Sequence, residues 1–190
     1  MLRFSYTAIM SSNLQANRLN MQAFVQDGVP LAETTLLQNL VRLTKELEGV
    51  QNDSAVHWTA KGELRAQPGA EPEVWLYLQA KADLPLTCQR CMGAVIAPVE
   101  VDQWYRFVAT EDIAMAEDDQ SEEDLLVMEP HFDLLAVLED ELLMALPLVP
   151  MHEQCPVTPT RSAGGPGIAS ESADKPNPFA VLAGLKIKKK

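Results

Sequence analysis

A two-residue period that persists from Val56 to Phe107 restricts this chain more than any other feature. Val74, Leu76, Leu78, Ala80, Ala82 and Leu84 alternate with Trp75, Tyr77, Gln79, Lys81 and Asp83. Such a run puts one set of side chains on each face of a strand. Before it, Val56, Trp58, Ala60 and Leu64 alternate with His57, Thr59, Lys61, Glu63 and Arg65. After it come Val95, Ala97, Val99 and Val101, then Tyr105 and Phe107. The breaks are the turn cluster from Gln67 to Pro72 and the segment Thr87 to Gly93. Three successive strands with short connections predict an antiparallel meander whose apolar face needs a cover. Pro98 has no N–H to donate, so it belongs at an edge or a bulge of the third strand.

Helical spacing flanks this sheet. Over Glu33 to Glu48, Leu36, Leu40, Leu43 and Leu47 recur on one stripe, widened by Leu37 and Val41, with Pro30 before and Gly49 after. This pattern predicts an amphipathic helix. A second is predicted from Phe132 to Leu146, with Leu135, Leu138, Leu142 and Ala145 on its stripe and Pro147 as its stop. Leu125 to Met128 suits one more short strand. The expected class is therefore α+β: an antiparallel meander sheet or partial barrel packed by two amphipathic helices, with an acidic loop and a flexible C-terminal tail.

At 190 residues the chain fits one domain with appendages. Residues 1–20 read as a poorly ordered extension, with Met10 as an alternative start of translation. A single α+β domain is expected over 21–155. From 156 to 176, 12 of 21 residues are Pro, Gly, Ser or Thr, the composition of a linker. Residues 177–190 form a short amphipathic motif with a basic end. Asn177 can cap, Pro178 suits the first helical position, and Phe179, Leu182 and Leu185 share a face. So short a helix does not persist alone in water, so this motif is expected to dock on a partner, the alternative being the chain's own sheet or helix.

Charge is distributed unevenly. Residues 111–155 hold 14 Asp or Glu and no Lys or Arg, whereas the whole chain has a net charge of −12. Glu111 to Asp124 alone carries 8 acidic residues among 14 and reads as a mobile acidic loop. Such a surface repels phosphate and attracts cations, which argues against non-specific RNA coating. No run approaches the roughly 18 apolar residues of a membrane span, and the first residues are too weakly apolar for a signal peptide. The expected compartment is a reducing cytoplasm, where three cysteines serve as thiols or metal ligands.

Those cysteines supply the strongest chemical constellation. Cys88-Gln-Arg-Cys91 falls in the turn between two strands, where two thiolates converge on one ion. His152-Glu-Gln-Cys155 lies just after the Pro147–Pro150 loop. Together Cys88, Cys91, His152 and Cys155 compose a Cys3His set suited to one structural zinc ion. The alternative is two turns with free thiols. Glu139, Asp140 and Glu141 are consecutive in a helix, so they fan around it and form no catalytic pair; they are candidates for contact with a cationic partner. Arg90 sets one cation at the tip of the CxxC turn, and Trp58, Trp75, Tyr77, Trp104 and Tyr105 either pack the sheet or stack on bases. No phosphate-binding loop, dinucleotide fingerprint, nucleophile elbow or HExxH motif occurs, and no enzyme or small-molecule substrate is expected.

Three blocks stand in a telling order: Leu86-Thr-Cys-Gln-Arg-Cys91, then Asp133 to His152 with Cys155, then Lys175-Pro-Asn-Pro-Phe179 through Lys186. In wording and order they resemble the bacterial YceD family, the large ribosomal RNA subunit accumulation proteins. The resemblance spans roughly 55 to 185. It implies a non-enzymatic role in synthesis, processing or stability of 23S ribosomal RNA. The family brings no agreed catalytic residues, so none are assigned. Combined with the charge partition, it points to a basic large-subunit ribosomal protein or a pre-50S particle as partner. The competing expectation is a zinc module that contacts 23S rRNA directly through Arg90 and the sheet aromatics.

Overall fold

A computed structural model describes residues 15–69 and 71–157. Three long strands, β2 (Ala55–Arg65), β3 (Glu73–Thr87) and β4 (Ala94–Val108), form its middle. β2 and β3 pair antiparallel with Trp58 opposite Ala80, and β3 and β4 with Leu84 opposite Ala97. A shorter strand, β1 (Leu31–Leu36), runs antiparallel to β2. At the other side β5 (Asp124–Val127) runs parallel to the last residues of β4, with Tyr105 opposite Asp124. The sheet is mixed and open, in the order β1-β2-β3-β4-β5. Because β5 covers only Tyr105 to Val108, the first part of β4 is an edge, and Pro98 sits exposed on it.

Four helices occur among the described residues: α1 (Met21–Asp27), α2 (Val41–Glu46), α3 (Glu111–Glu117) and α4 (Leu134–Met144). Asn20 caps α1 by accepting from Ala23 N–H at 3.0 Å, and Gly28, at φ 62°, closes it in a left-handed turn. The helix lies on β2 at Gly62, where a Cβ would come within 2.6 Å of Val25 Cγ1 and 3.0 Å of Phe24 Cδ1. Asp133 caps α4 through Ala136 N–H at 3.0 Å. Phe24, Leu43, Trp58, Leu76, Leu78, Tyr105, Leu138 and Leu142 meet in one buried core between the helices and one face of the sheet.

The α+β class is as the periodicity predicts, but several elements are not. The apolar spacing over 33–48 is divided among β1, a 3-10 turn at Leu37–Asn39 and the short α2. The first portion is a strand because its backbone completes the ladder of β2, and Thr35 accepts from Trp58 Nε1–H at 2.9 Å. Leu37, Leu40 and Leu43 still reach the core, since the turn and the helix keep the same side inward. The acidic stretch 111–124 is not a loop. Thr110 caps α3, the first-turn residues Glu111 and Asp112 complement the helix dipole, and a 3-10 turn at Asp118–Gln120 leads into β5. On α4 the buried stripe is Leu134, Leu138 and Leu142, with Leu135 partly covered and Ala145 exposed.

The N-terminal boundary also moves. Leu19, placed by sequence in a poorly ordered extension, is fully buried and exchanges two backbone hydrogen bonds with Phe132, at 2.8 and 2.9 Å. Leu134 N–H donates to the Ala16 carbonyl at 2.9 Å. Residues 16–19 therefore belong to the domain. The rest of the expected extension (1–14), the linker beyond Val157, and the motif bearing Asn177, Pro178, Phe179, Leu182 and Leu185 lie outside the described residues. Among the described residues no helix is long and apolar enough to cross a membrane.

Candidate metal centre

The β3–β4 connection is a tight turn. Cys88 N–H donates to the Gly93 carbonyl at 2.8 Å and Met92 N–H to the Cys88 carbonyl at 2.9 Å, which folds Cys91 back towards Cys88. Met92 holds φ 58°, the left-handed region. The other two donors arrive after α4. Pro147 and Pro150 stiffen the segment beyond the helix, and Gln89 N–H donates to the Pro150 carbonyl at 2.9 Å, tying that segment to the turn. His152 and Cys155 follow directly.

All four donor atoms of Cys88, Cys91, His152 and Cys155 lie within 4.8 Å of one another. Cys88 Sγ and Cys155 Sγ are 3.9 Å apart, and Cys91 Sγ and His152 Nδ1 are 3.5 Å apart. Zinc bonds of about 2.3 Å to sulfur and about 2.0 Å to nitrogen set tetrahedral edges of about 3.8 Å and about 3.5 Å. Two of the six donor–donor edges thus match those of a tetrahedral site, and the other four stay within 4.8 Å.

Electrostatics in the cluster are unbalanced. Burial pushes the Cys88 thiol up, but backbone N–H groups of His152, Cys91 and Arg90 and the His152 side chain bring it down to about 5. His152 N–H donates to Cys88 Sγ at 3.4 Å. Burial and the neighbouring sulfurs Cys91 and Cys88 push Cys155 up to about 11. One sulfur is thus favoured as thiolate while another resists the same charge beside it. A divalent cation held among these sulfurs would offset the repulsion between neighbouring thiolates.

The other predicted site residues go elsewhere. Arg90 is exposed, with its guanidinium 3.8 Å from Met151 Sδ. The three consecutive carboxylates do not make a common surface. Glu139 turns inward: Oε1 accepts from Arg42 N–H at 2.6 Å and Leu43 N–H at 3.0 Å, and Oε2 pairs with Arg42 Nε at 2.9 Å. It therefore serves as the missing N-cap of α2. Burial pushes its pKa up, yet the Leu43 amide and the Arg42 guanidinium and amide hold it below the ordinary value. Asp140 binds the same guanidinium. Glu141 is half-buried near Tyr105, whose hydroxyl has no hydrogen-bond partner among the described residues and whose pKa is raised by burial and by that carboxylate. Successive residues on a helix point about 100° apart, which is why α2 captures Glu139 and leaves its neighbours outside.

The aromatic residues are mostly engaged with one another. Trp58 and Tyr105 are buried. On the opposite face the Arg65 guanidinium lies 3.9 Å from the Trp75 ring centroid and 4.3 Å from that of Trp104, and Tyr77 stacks on Trp104 at 4.5 Å. Sequence reasoning did not single out the Pro150 carbonyl, which docks the second pair on the first. Its only signal is the proline-bounded spacing before His152.

The family described as large ribosomal RNA subunit accumulation protein YceD matches residues 76–186. The chain belongs to the YceD family. Over 129 residues it is 40% identical to the large ribosomal RNA subunit accumulation protein YceD of Haemophilus influenzae, covering 62% of this chain and 70% of that one. No solved structure matches. The YceD match begins inside β3 and takes in α3, β5, α4 and all four members of the Cys3His cluster, whereas α1, β1 and β2 precede it.

Proposed function

We propose that this YceD family member supports accumulation of 23S ribosomal RNA by binding a basic large-subunit ribosomal protein or pre-50S component, without chemistry of its own. The name of the Haemophilus relative supports the RNA side of this reading. The observation that carries the choice of partner is the 45-residue stretch 111–155 with 14 acidic and no basic residues. It attracts a cationic protein and repels a phosphate backbone. Cys88, Cys91, His152 and Cys155 hold one structural zinc ion, a role supported by four converging protein donors that leave no open position for a substrate. Asn177, Pro178, Phe179, Leu182 and Leu185 provide a second contact, as a helix seated in a groove of the partner.

Direct binding of 23S rRNA is the competing reading, and the arrangement of the aromatics weighs against it. Arg65 covers Trp75 and Trp104, and Tyr77 stacks on Trp104, so these rings are already in use. Arg90 alone makes a thin phosphate contact. Affinity for purified basic large-subunit proteins, set against affinity for 23S rRNA fragments across a salt series, tests the proposal. Tight, salt-sensitive protein binding supports it. Tighter binding to the RNA fragments overturns it.

A further inference from the structure

The two segments that carry the Cys3His cluster expose several apolar side chains. Met92 is 69% exposed and Leu148 completely so, and Ile96, Val149 and Met151 are exposed as well. These residues belong to two segments, the turn with the first residues of β4 and the loop after α4. The Gln89–Pro150 hydrogen bond and the cluster hold those segments together. Apolar side chains gathered on one rigid surface mark an interaction site. Met92 adds an independent sign: it occupies a left-handed conformation that favours glycine, yet its side chain points to solvent and repays nothing within the described fold.

We infer that this surface is the docking site for an amphipathic segment that carries Lys or Arg beside apolar side chains. The choice of occupant rests on charge. Exposed Glu153 lies between His152 and Cys155, and no Lys or Arg occurs anywhere from 111 to 155. A zinc-loaded Cys3His set has three thiolates against a divalent cation and so adds one net negative charge. Arg90, the nearby cation, leans on Met151. An apolar centre with an anionic rim suits a cationic protein segment and disfavours nucleic acid or an anionic membrane. The inference rests on the proposed binding of a basic ribosomal protein and says where that protein lands.

The test uses the full zinc-loaded chain and, as probe, the basic proteins split from purified 50S subunits by concentrated lithium chloride. Leu148→Ser with Val149→Ser is expected to leave Tm unchanged and weaken binding about tenfold or more. Met92→Gly removes the apolar side chain while relieving the left-handed strain, so it too is expected to weaken binding with no loss of stability. A photo-crosslinking amino acid at position 148 is expected to join the chain to a basic subunit protein. Undiminished binding by both variants overturns the inference and leaves the proposed function standing. Absence of any binding by the unmodified chain overturns the proposed function itself. Crosslinks to a second copy of the chain, or to its own residues 177–190, overturn the choice of occupant.

Discussion

At its start β4 leaves a turn that shares a cluster of sulfur and imidazole donors with the distant residues His152 and Cys155; at its end it runs through Thr110 into α3 and eight acidic side chains. The first end is held by contacts between segments far apart in sequence and displays apolar side chains. The second is held by local caps and by Arg106, which pairs with Glu73 at 3.3 Å and Glu117 at 2.8 Å, and displays charge. The difference separates two tasks along one strand. Exposed charge acts at long range on the rate of encounter, and apolar area acts at contact on the lifetime of a complex.

The contrast is tested most strongly at the cluster. Cys88→Ser with Cys155→Ser is expected to abolish zinc binding, measured by elemental analysis, and to lower Tm by roughly 10 °C. A wild type stripped of metal that keeps the Tm of the loaded protein would show that the first end needs no ion. Between the two ends, Leu138 on α4 is fully buried, and Leu138→Ala should cost about 3 kcal/mol in chemical denaturation. A loss confined to one end in hydrogen exchange would show that the ends are not joined through α4.

Glu139 gives a smaller, pH-dependent effect. Glu139→Ala uncaps α2 and frees Arg42, a cost of about 2 kcal/mol near neutral pH. The carboxyl has a folded pKa below the ordinary 4.5, so its contribution is complete above that value. It fades as pH falls through the depressed folded value. Denaturation curves of wild type and variant should therefore converge as pH falls below the ordinary carboxylate range; curves that stay parallel throughout acid would mean that the carboxylate is not what pins α2. The least effect on stability is expected at the acidic end. Changing Asp118, Asp119, Glu122 and Glu123 to amides should leave Tm within a few degrees, because none of them forms an ion pair among the described residues. Association with basic ribosomal protein should slow and lose salt dependence. An unchanged rate at low salt would confine α3 to a solubilising role.

Sequence pattern revealed the centre of the molecule better than its margins. β2, β3 and β4 are legible because each buries one face, which imposes strict alternation. β1 is an edge strand with little buried besides Thr35, so its pattern is faint, and the leucines that follow lend it a false helical period. The convergence of the four Cys3His donors is legible from residue type and spacing, because a CxxC turn and an HxxC segment together supply the number and kind of ligands that one ion takes. The inward turn of Glu139 was not, since it depends on α2 lying against α4 across nearly a hundred residues. Leu19 was missed for the same reason: its partner Phe132 lies far along the chain.

That last pairing has a consequence for how the protein is made. Leu19 leaves the ribosome early, but its backbone partners at Phe132 do not exist until most of the domain has been translated, and Cys155, the partner of Cys88, is made later still. Strands β2 to β4 can pair during synthesis, while both of their closures are deferred to the end. The nascent chain therefore carries a finished hairpin stack with an uncovered apolar face. A short pause in translation after Val108 would lengthen that exposure.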